Sequence, residues 1–293
     1  MPTITPCLTF GRQAEEAVRF YVSALPGSEL LHITRCGEGE PQPAGSVRTV
    51  RFKLCGQEMM AANGGPTFTF TPAVSLFVHC ETAEEVDAIW ERLADGGTTL
   101  MPLDAYPFAS RFGWVVDRFG VSWQVVLAPG RQRIVPGLLF VGERHGRAEE
   151  AVNHYVSLFP DSRVTEIRRF GEGSHEPAGA VEQARFSLGG CELSVTESSL
   201  DHAFTFSEGI SLYVGCDTQA EVDRLWDGLC AGGEPQRCGW VVDRFGVTWQ
   251  VAPAVAWEMV NDPDPVASQR VVDAVLGMTK LDADTLKRAY AGE

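Results

Sequence analysis

Two glutamines with aromatic neighbours are the side chains of this sequence best suited to hold a small molecule. Gln124 and Gln250 stand at equivalent places in two segments that agree at twelve of fourteen positions, GWVVDRFGVSWQVV from Gly113 and GWVVDRFGVTWQVA from Gly239. Residues alternate between two faces there, so each glutamine points away from the tryptophan that precedes it. If the glutamine face lines a pocket, its amide can hydrogen-bond a ligand, because such pockets combine apolar walls with a few placed polar groups.

Two tryptophans recur in the same segments and could form walls of the same pocket. Trp114 and Trp240 occupy equivalent positions in the two copies. Packing of a hairpin into the core explains repeated tryptophans as well, because aromatic side chains dominate the energetics of protein cores. The sequence leaves both interpretations open.

Two arginines and one loop give the remaining candidates. Arg51 and Arg185 lie 134 residues apart on alternating strands, where a guanidinium could bind an anionic substrate group bidentately. A solvated arginine on an outer face is the alternative. Asp104 and Tyr106 belong to a predicted long loop, MPLDAYPF from Met101, and could supply acid–base groups because loops often carry function. An ordinary turn is the alternative there.

A tandem repeat organises the whole chain. The motif AEEAV occurs at 14–18 and 148–152, and the tripeptide FTF occurs at 68–70 and 204–206. Because these matches keep their order along the chain, they indicate a duplicated unit. We therefore expect a first domain over residues 1–128, a second over 134–253 and a C-terminal helical tail over 254–293. A short polar linker with helix- and strand-breaking residues separates the copies.

Each copy is predicted to be an α+β module made of two βαβββ halves. An amphipathic helix over 14–25 is followed by Pro-Gly, and a second helix starts with a capping box in both copies, Thr82-x-x-Glu85 and Thr218-x-x-Glu221. Helical spacing also predicts two helices in the tail, one around 271–278 and one from Asp282. The predicted strands of the first copy are 4–10, 47–54, 74–80 and the two arms of a hairpin, 114–116 and 121–127.

Composition excludes several classes of partner. The net charge of −15, from 39 acidic and 24 basic residues, repels phosphate backbones and anionic lipids, so we expect neither nucleic acid nor a membrane as partner. The sequence has neither a run of about 18 apolar residues nor a secretory signal. Its eight cysteines lack metal-binding spacings. These features predict a cytoplasmic protein with free, mostly buried thiols.

The helix motif AEEAxx(F/H)Y and the hairpin motif GWVVDRFGV(S/T)WQ together resemble one known family. This is the 3-demethylubiquinone-9 3-methyltransferase-like, or PhnB-like, family of the vicinal oxygen chelate superfamily, which includes glyoxalase, bleomycin-resistance and dioxygenase proteins. The resemblance covers both copies and the tail around 278–282. It implies that each module curls a mixed β-sheet into a cup and that two modules pair to complete the ligand sites. Here the pair would be an internal pseudo-dimer, with a homodimer of the whole chain as a further option.

The resemblance also implies where a metal would bind. Superfamily enzymes hold one divalent metal with His, Glu or Gln side chains from four strands. Only the glutamine in each set could ligate, so we expect no cofactor and keep a divalent metal as the alternative. The implied positions are Pro6, Met59 or Met60, Ala73 and Gln124 in the first copy, and Pro136, Ser194, Gly209 and Gln250 in the second.

One histidine could substitute for a missing ligand. His79 lies at the end of a predicted strand, but its counterpart in the second copy is Gly215. A histidine at the surface, or one with satisfied hydrogen bonds in the core, is the alternative.

Three functional hypotheses follow, and the sequence leaves open whether the protein is an enzyme. The first is a protein that binds a small molecule in a metal-free cup. The second is a metal-dependent lyase, isomerase or dioxygenase with an unusual ligand set. The third is a structural duplicate without catalysis. A methyltransferase activity is disfavoured, because the Gly-rich turn GxGxxG typical of nucleotide-binding sheets is absent from the sequence.

Overall fold

The computed structural model describes residues 2–38, 40 and 42–293. Numbered in chain order, its strands form two eight-stranded mixed sheets, with α-helices packed against them and in the tail. The predicted α+β class is confirmed. No helix in these residues is long and apolar enough to cross a membrane. The helices are α1 (Ala14–Ala24), α2 (Ala83–Ala94), α3 (Ala148–Leu158), α4 (Gln219–Cys230), α5 (Ala254–Val260), α6 (Pro265–Gly277) and α7 (Ala283–Ala291).

The first sheet combines the two ends of the chain. Its centre is the antiparallel pairing of β1 with β13, in which Pro6 lies opposite Leu212. In spatial order its strands are β14 (Glu234–Pro235), β15 (Trp240–Val242), β16 (Thr248–Pro253), β13 (Ile210–Cys216), β1 (Thr3–Phe10), β4 (Gln57–Asn63), β3 (Val47–Leu54) and β2 (Glu29–Arg35).

The second sheet takes the middle of the chain. Its central pairing joins β5 to β9, with Leu76 opposite Pro136, and so repeats the arrangement of the first sheet. In spatial order its strands are β10 (Arg163–Arg169), β11 (Val181–Leu188), β12 (Cys191–Ser198), β9 (Arg133–Val141), β5 (Val74–Cys80), β8 (Ser122–Leu127), β7 (Ala109–Val116) and β6 (Thr98–Tyr106).

Each sheet therefore contains four strands from each sequence repeat. The expectation that each module curls its own sheet was wrong in this respect, because the N-terminal half of one repeat pairs with the C-terminal half of the other. This exchange of halves between the sheets could not be predicted from the sequence, because the pairings β1–β13 and β5–β9 that produce it join residues far apart along the chain. The division of the chain into domains at 128 and 134 stays a prediction.

The local predictions agree well with the observed elements. Both capping boxes are present, with the Thr82 and Thr218 hydroxyls accepting from the backbone N–H three residues later. In the tail, α6 and α7 occupy the predicted regions, and Asp282 caps α7. The short helix α5 was not predicted. The loop predicted around Asp104 and Tyr106 was wrong, because both residues lie in strand β6, which pairs with β7.

A buried hydrogen-bond network explains why the two repeated motifs occur together. Asp117 Oδ2 accepts from the hydroxyl of Tyr21 at 2.8 Å and from the indole of Trp123 at 2.8 Å. Its Oδ1 accepts from two backbone amides of the β7–β8 turn. Helix α1 packs on β3 of the first sheet, whereas Trp123 belongs to the second sheet. The network therefore links the two halves of the first repeat across the two sheets.

The second repeat contains the same network. Asp243 accepts from Tyr155 at 2.7 Å and from Trp249 at 2.9 Å, again with two turn amides on the other oxygen. Burial raises the pKa of both aspartates, and hydrogen bonds from the tyrosine and tryptophan partly offset this. Tyr155 and Trp249 are fully buried. The most specific sequence motif of this chain is therefore structural.

Candidate functional site

Each sheet has one face toward its helices and one face away from them. On β1, Leu8 and Phe10 belong to the hydrophobic core together with Val18 of α1. Because side chains alternate along a strand, Cys7 points to the other face. We call this helix-free face cup A in the first sheet and cup B in the second.

Each cup holds a row in which a glutamine lies between two aromatic residues on neighbouring strands. In cup B, Gln124 lies opposite Phe77 on one side and opposite Trp114 on the other. In cup A, Gln250 is flanked in the same way by Tyr213 and Trp240. The two glutamines and the two tryptophans were candidates from the sequence because they repeat, but Phe77 and Tyr213 were missed because they are not identical between the copies.

The centre of cup A is filled by small polar contacts. Gln250 donates from Nε2 to the hydroxyl of Ser211 at 2.8 Å, and Cys7 lies opposite Ser211 in the strand register. Burial raises the pKa of the Cys7 thiol to about 11, against the lowering effect of hydrogen bonds from Gln250 and its neighbours. The amide of Gln250 is thus already engaged inside the protein.

The centre of cup B has a different set of contacts. Ser75 and Ser122 share a hydrogen bond of 3.0 Å, and the indole of Trp114 donates to Ser122 at 2.8 Å. Gln124 makes no hydrogen bond to any described residue, and its side chain is half-buried. A Cβ on Gly137 would collide with the ring of Phe77, so glycine at this position allows that ring to lie inside the cup. The amide of Gln124 is therefore unengaged within the part of the chain that the structure describes.

The C-terminal tail covers cup A. Helix α5 follows β16 directly, and its Trp257 lies 5.6 Å from the guanidinium carbon of Arg51 on β3. Further along the tail, the backbone carbonyls of Met278 and Thr279 accept hydrogen bonds of 2.8 Å from the backbone amides of Cys238 and Gly239, which directly precede β15. The tail thus contacts both sides of cup A. Arg51 also forms an ion pair with Glu58, which leaves its guanidinium occupied.

Cup B is bordered by the long hairpin β6–β7 where cup A has the tail. Phe112 of β7 is buried on the same face as Trp114, and it contacts the ring of Phe108 at 5.1 Å. Tyr106 stacks on Phe108 at 5.5 Å and donates to the carbonyl of Pro102. Phe108 itself is 58% exposed. Tyr106 therefore belongs to an aromatic cluster at the rim of the cup.

Asp104 does not support an acid–base role. Its side chain is exposed, and Oδ1 accepts from the next backbone amide, of Ala105, at 2.7 Å. On the neighbouring strand it lies opposite Phe112. The carboxylate therefore has a local backbone contact and points to solvent at the edge of the hairpin.

One end of cup B carries a buried histidine and two arginines. His79 pairs with Arg133 across β5 and β9, and its Nδ1 is buried without a hydrogen-bond partner in the described part of the chain. Burial lowers the pKa of His79 to about 4, with the positive charges of Arg133 and Arg185 adding to the effect. The imidazole is therefore neutral near pH 7. The sequence-based alternatives, a surface histidine or a satisfied core histidine, were both wrong.

A cavity of about 440 Å³ lies between the arginine and glutamate side chains of β10, β11 and β12, and Arg185 is one of its lining residues. Arg185 lies 3.8 Å from Glu166, and Arg133 lies 3.3 Å from Glu192. A second cavity, of about 410 Å³, lies beside the start of α1 and is lined by Arg12 and other polar residues. Neither cavity is lined by Gln124 or Gln250, but the first is lined by Arg185, whose side chain lies on the face of cup B.

The strand register corrects the implied metal positions. Pro6 and Pro136 share the core-facing side of their strands, and the cup-facing positions are Cys7 and Gly137. The residues at the four central positions are Cys7, Met60, Ser211 and Gln250 in cup A, and Gly137, Ser194, Ser75 and Gln124 in cup B, where Gly137 offers no side chain.

These donors do not fit a divalent metal. Hydroxyls, a thioether and a neutral amide are weak ligands, and the raised pKa of Cys7 opposes the thiolate that would bind. Among residues 2–38, 40 and 42–293, no three His, Cys, Asp or Glu side chains lie together as a metal site would require.

The two cupped sheets define the vicinal oxygen chelate fold. Glyoxalase I from Zea mays aligns with 85% of this chain and 92% of its own, at a TM-score of 0.55 and 10% sequence identity. At that identity the similarity concerns the fold alone.

Sequence comparison then gives the family. The model of the 3-demethylubiquinone-9 3-methyltransferase family matches residues 2–126 and again 132–252, so the chain belongs to this family. A PhnB protein from Bacillus cereus is 48% identical over 42% of this chain and 98% of its own, with a TM-score of 0.41. Protein YjdN of Escherichia coli K12 is 23% identical over 137 residues, which cover 42% of this chain and 92% of YjdN. Both of these relatives match a single repeat's length of the chain.

Proposed function

We propose that the protein binds a small planar molecule in cup B without a metal. The observation that carries this proposal is the unengaged amide of Gln124 between the rings of Phe77 and Trp114. Two aromatic rings favour a planar group between them, and an amide can both donate to and accept from a polar atom of that group. This combination of apolar walls and one placed polar group is typical of small-molecule sites.

The difference between the cups supports the choice of cup B. Gln250 donates to Ser211, and Trp257 of the tail lies over Arg51, so the glutamine of cup A is already engaged and the tail covers this cup. We therefore propose one working site per chain, with the second cup stabilising the fold. The family description names a methyltransferase, but a Gly-rich nucleotide turn is absent from the sequence, and we do not assign that activity.

The free thiols support a reducing compartment. All eight cysteines are unpaired, and most of them are buried. Together with the acidic surface, they support our proposal of a cytoplasmic protein that has a small molecule, and neither nucleic acid nor a membrane, as its partner.

The test compares matched variants of the two cups. A panel of planar metabolites and drugs is screened by thermal shift, and hits are titrated by calorimetry against the parent protein, Gln124→Ala and Gln250→Ala. Loss of one hydrogen bond of about 1 kcal/mol weakens binding about fivefold in Gln124→Ala, with little change in Gln250→Ala. Equal weakening in both variants would contradict the single-site proposal. Near-stoichiometric divalent metal in the purified protein, lost in the double variant, would instead favour a metal-dependent enzyme.

A further inference from the structure

The imidazole of His79 is buried, and its Nδ1 has no hydrogen-bond partner among the described residues. It is 7% exposed, and it makes no hydrogen bond to any residue that the structure describes. Buried polar groups without a partner cost free energy and call for a specific explanation. His79 lies two residues from Phe77 on β5, so both side chains point into cup B. A ligand in the cup could therefore supply the missing partner.

The two arginines near His79 are also incompletely bonded. Arg133 lies opposite His79 in the strand register, and Arg185 lies opposite Ser194, whose side chain is central in cup B. Their contacts with Glu192 and Glu166 are 3.3 and 3.8 Å ion pairs, and neither guanidinium donates a hydrogen bond within the described residues. Both side chains are about one-third exposed, and that of Arg185 lines the cavity of about 440 Å³.

The equivalent end of cup A lacks this arrangement. The counterpart of His79 is Gly215, and the counterpart of Arg133 is Thr3. Arg51, the counterpart of Arg185, is held by Glu58 and by the ring of Trp257. Among the described residues, this group of a histidine and two arginines therefore has no equivalent at the matching end of cup A, although the two cups share their strand topology.

We infer that His79, Arg133 and Arg185 bind an anionic oxygen group, such as a carboxylate, of the molecule whose planar part lies at Gln124. This inference rests on the function proposed above and adds the chemical class of the ligand. Guanidinium groups match carboxylate geometry, and a neutral imidazole can donate one further hydrogen bond to the same group. The protein carries a net charge of −15, so a local pair of arginines is needed to attract an anion against the overall field.

The experiment compares two probes of equal size and shape, 2-naphthoate and its neutral amide, 2-naphthamide. At about 0.3 kcal/mol per non-hydrogen atom, such a probe binds with a Kd on the order of 1 mM, which calorimetry and ligand-observed NMR can measure. We expect naphthoate to bind at least tenfold more tightly than naphthamide near neutral pH. This preference should decrease at high salt, because partly exposed charges are screened.

Matched variants locate the anion site. Arg185→Gln and His79→Phe should each weaken naphthoate binding about tenfold and change naphthamide binding by less than twofold. Arg51→Gln, at the equivalent position of cup A, should change neither. Retained naphthamide binding also shows that each variant is folded, so the loss for naphthoate cannot come from a damaged fold.

The outcomes separate this inference from the proposed function. If both probes bind equally well and Gln124→Ala weakens both, cup B is a binding site, but the anion inference is wrong. The same conclusion follows if Arg185→Gln affects both probes alike. If neither probe binds at concentrations well above the expected Kd, both the site and the anion inference are contradicted.

Discussion

The tyrosine of the repeated helix motif should be a major source of stability. Tyr21 is fully buried, and its hydroxyl donates to the buried carboxylate of Asp117 at 2.8 Å. Tyr21→Phe keeps the ring, so the packing against Trp123 at 5.0 Å remains, and only the hydrogen bond is removed. A hydrogen bond to a charged group contributes about 1.5–3 kcal/mol, and we expect Tyr21→Phe to lower the free energy of unfolding by that amount.

The chain offers both a duplicate and a control for this change. Tyr155→Phe removes the equivalent bond to Asp243 and should cost the same, within about 0.5 kcal/mol. Tyr106→Phe removes a hydroxyl that donates to a backbone carbonyl in an exposed hairpin, and it should cost about 0.5 kcal/mol or less. Because the two networks share no partners, the double variant Tyr21→Phe, Tyr155→Phe should show the sum of the single effects.

The assay is equilibrium unfolding in urea, followed by tryptophan fluorescence and circular dichroism so that two-state behaviour can be checked. If Tyr21→Phe costs no more than Tyr106→Phe, the carboxylate does not depend on the tyrosine and the proposed role of the motif is wrong. If the variant is as stable as the parent but no longer binds ligand in cup B, the motif has a functional role in place of a structural one.

Two further predictions concern the two cups. Because the pKa of His79 is lowered to about 4, the folded state binds a proton there more weakly than the unfolded state, so the stabilisation by neutral His79 is complete above about pH 6.5 and is lost as the pH falls toward about 4. The free energy of unfolding should therefore fall by about 2 kcal/mol between pH 7 and 5, as measured by urea titrations at each pH. His79→Phe should remove this part of the pH dependence while leaving Arg133 and Arg185 in place. For cup A, Trp257→Ala removes a cation–π contact with Arg51 worth about 1 kcal/mol, and alkylation of the buried Cys7 thiol should become about fivefold faster when measured by peptide mass spectrometry. An unchanged rate would show that the tail does not control access to this cup.

The sequence alone determined the elements that depend on near neighbours. Strand β3 could be predicted because Val50 and Phe52 alternate with Arg51, and the start of α2 because Thr82 and Glu85 bond each other's backbone across one turn. The internal repeat and the family resemblance were sufficient for the fold class, which the comparisons confirm. Gln124 and Trp114 could also be selected in advance, since they alternate with core residues in a repeated hairpin.

Only the tertiary structure decided which residues share a cup. The pairing of β1 with β13 brings Cys7 opposite Ser211, and a shift of one residue would have placed Pro6 there instead. The burial of His79, the cover of Trp257 over Arg51 and the strand conformation of Asp104 also depend on segments distant in sequence. Local periodicity fixes the face of a strand, but long-range pairing sets the register and the neighbours. For this reason, two similar repeats give one cup whose glutamine is hydrogen-bonded, Gln250, and one whose glutamine has no partner among the described residues, Gln124.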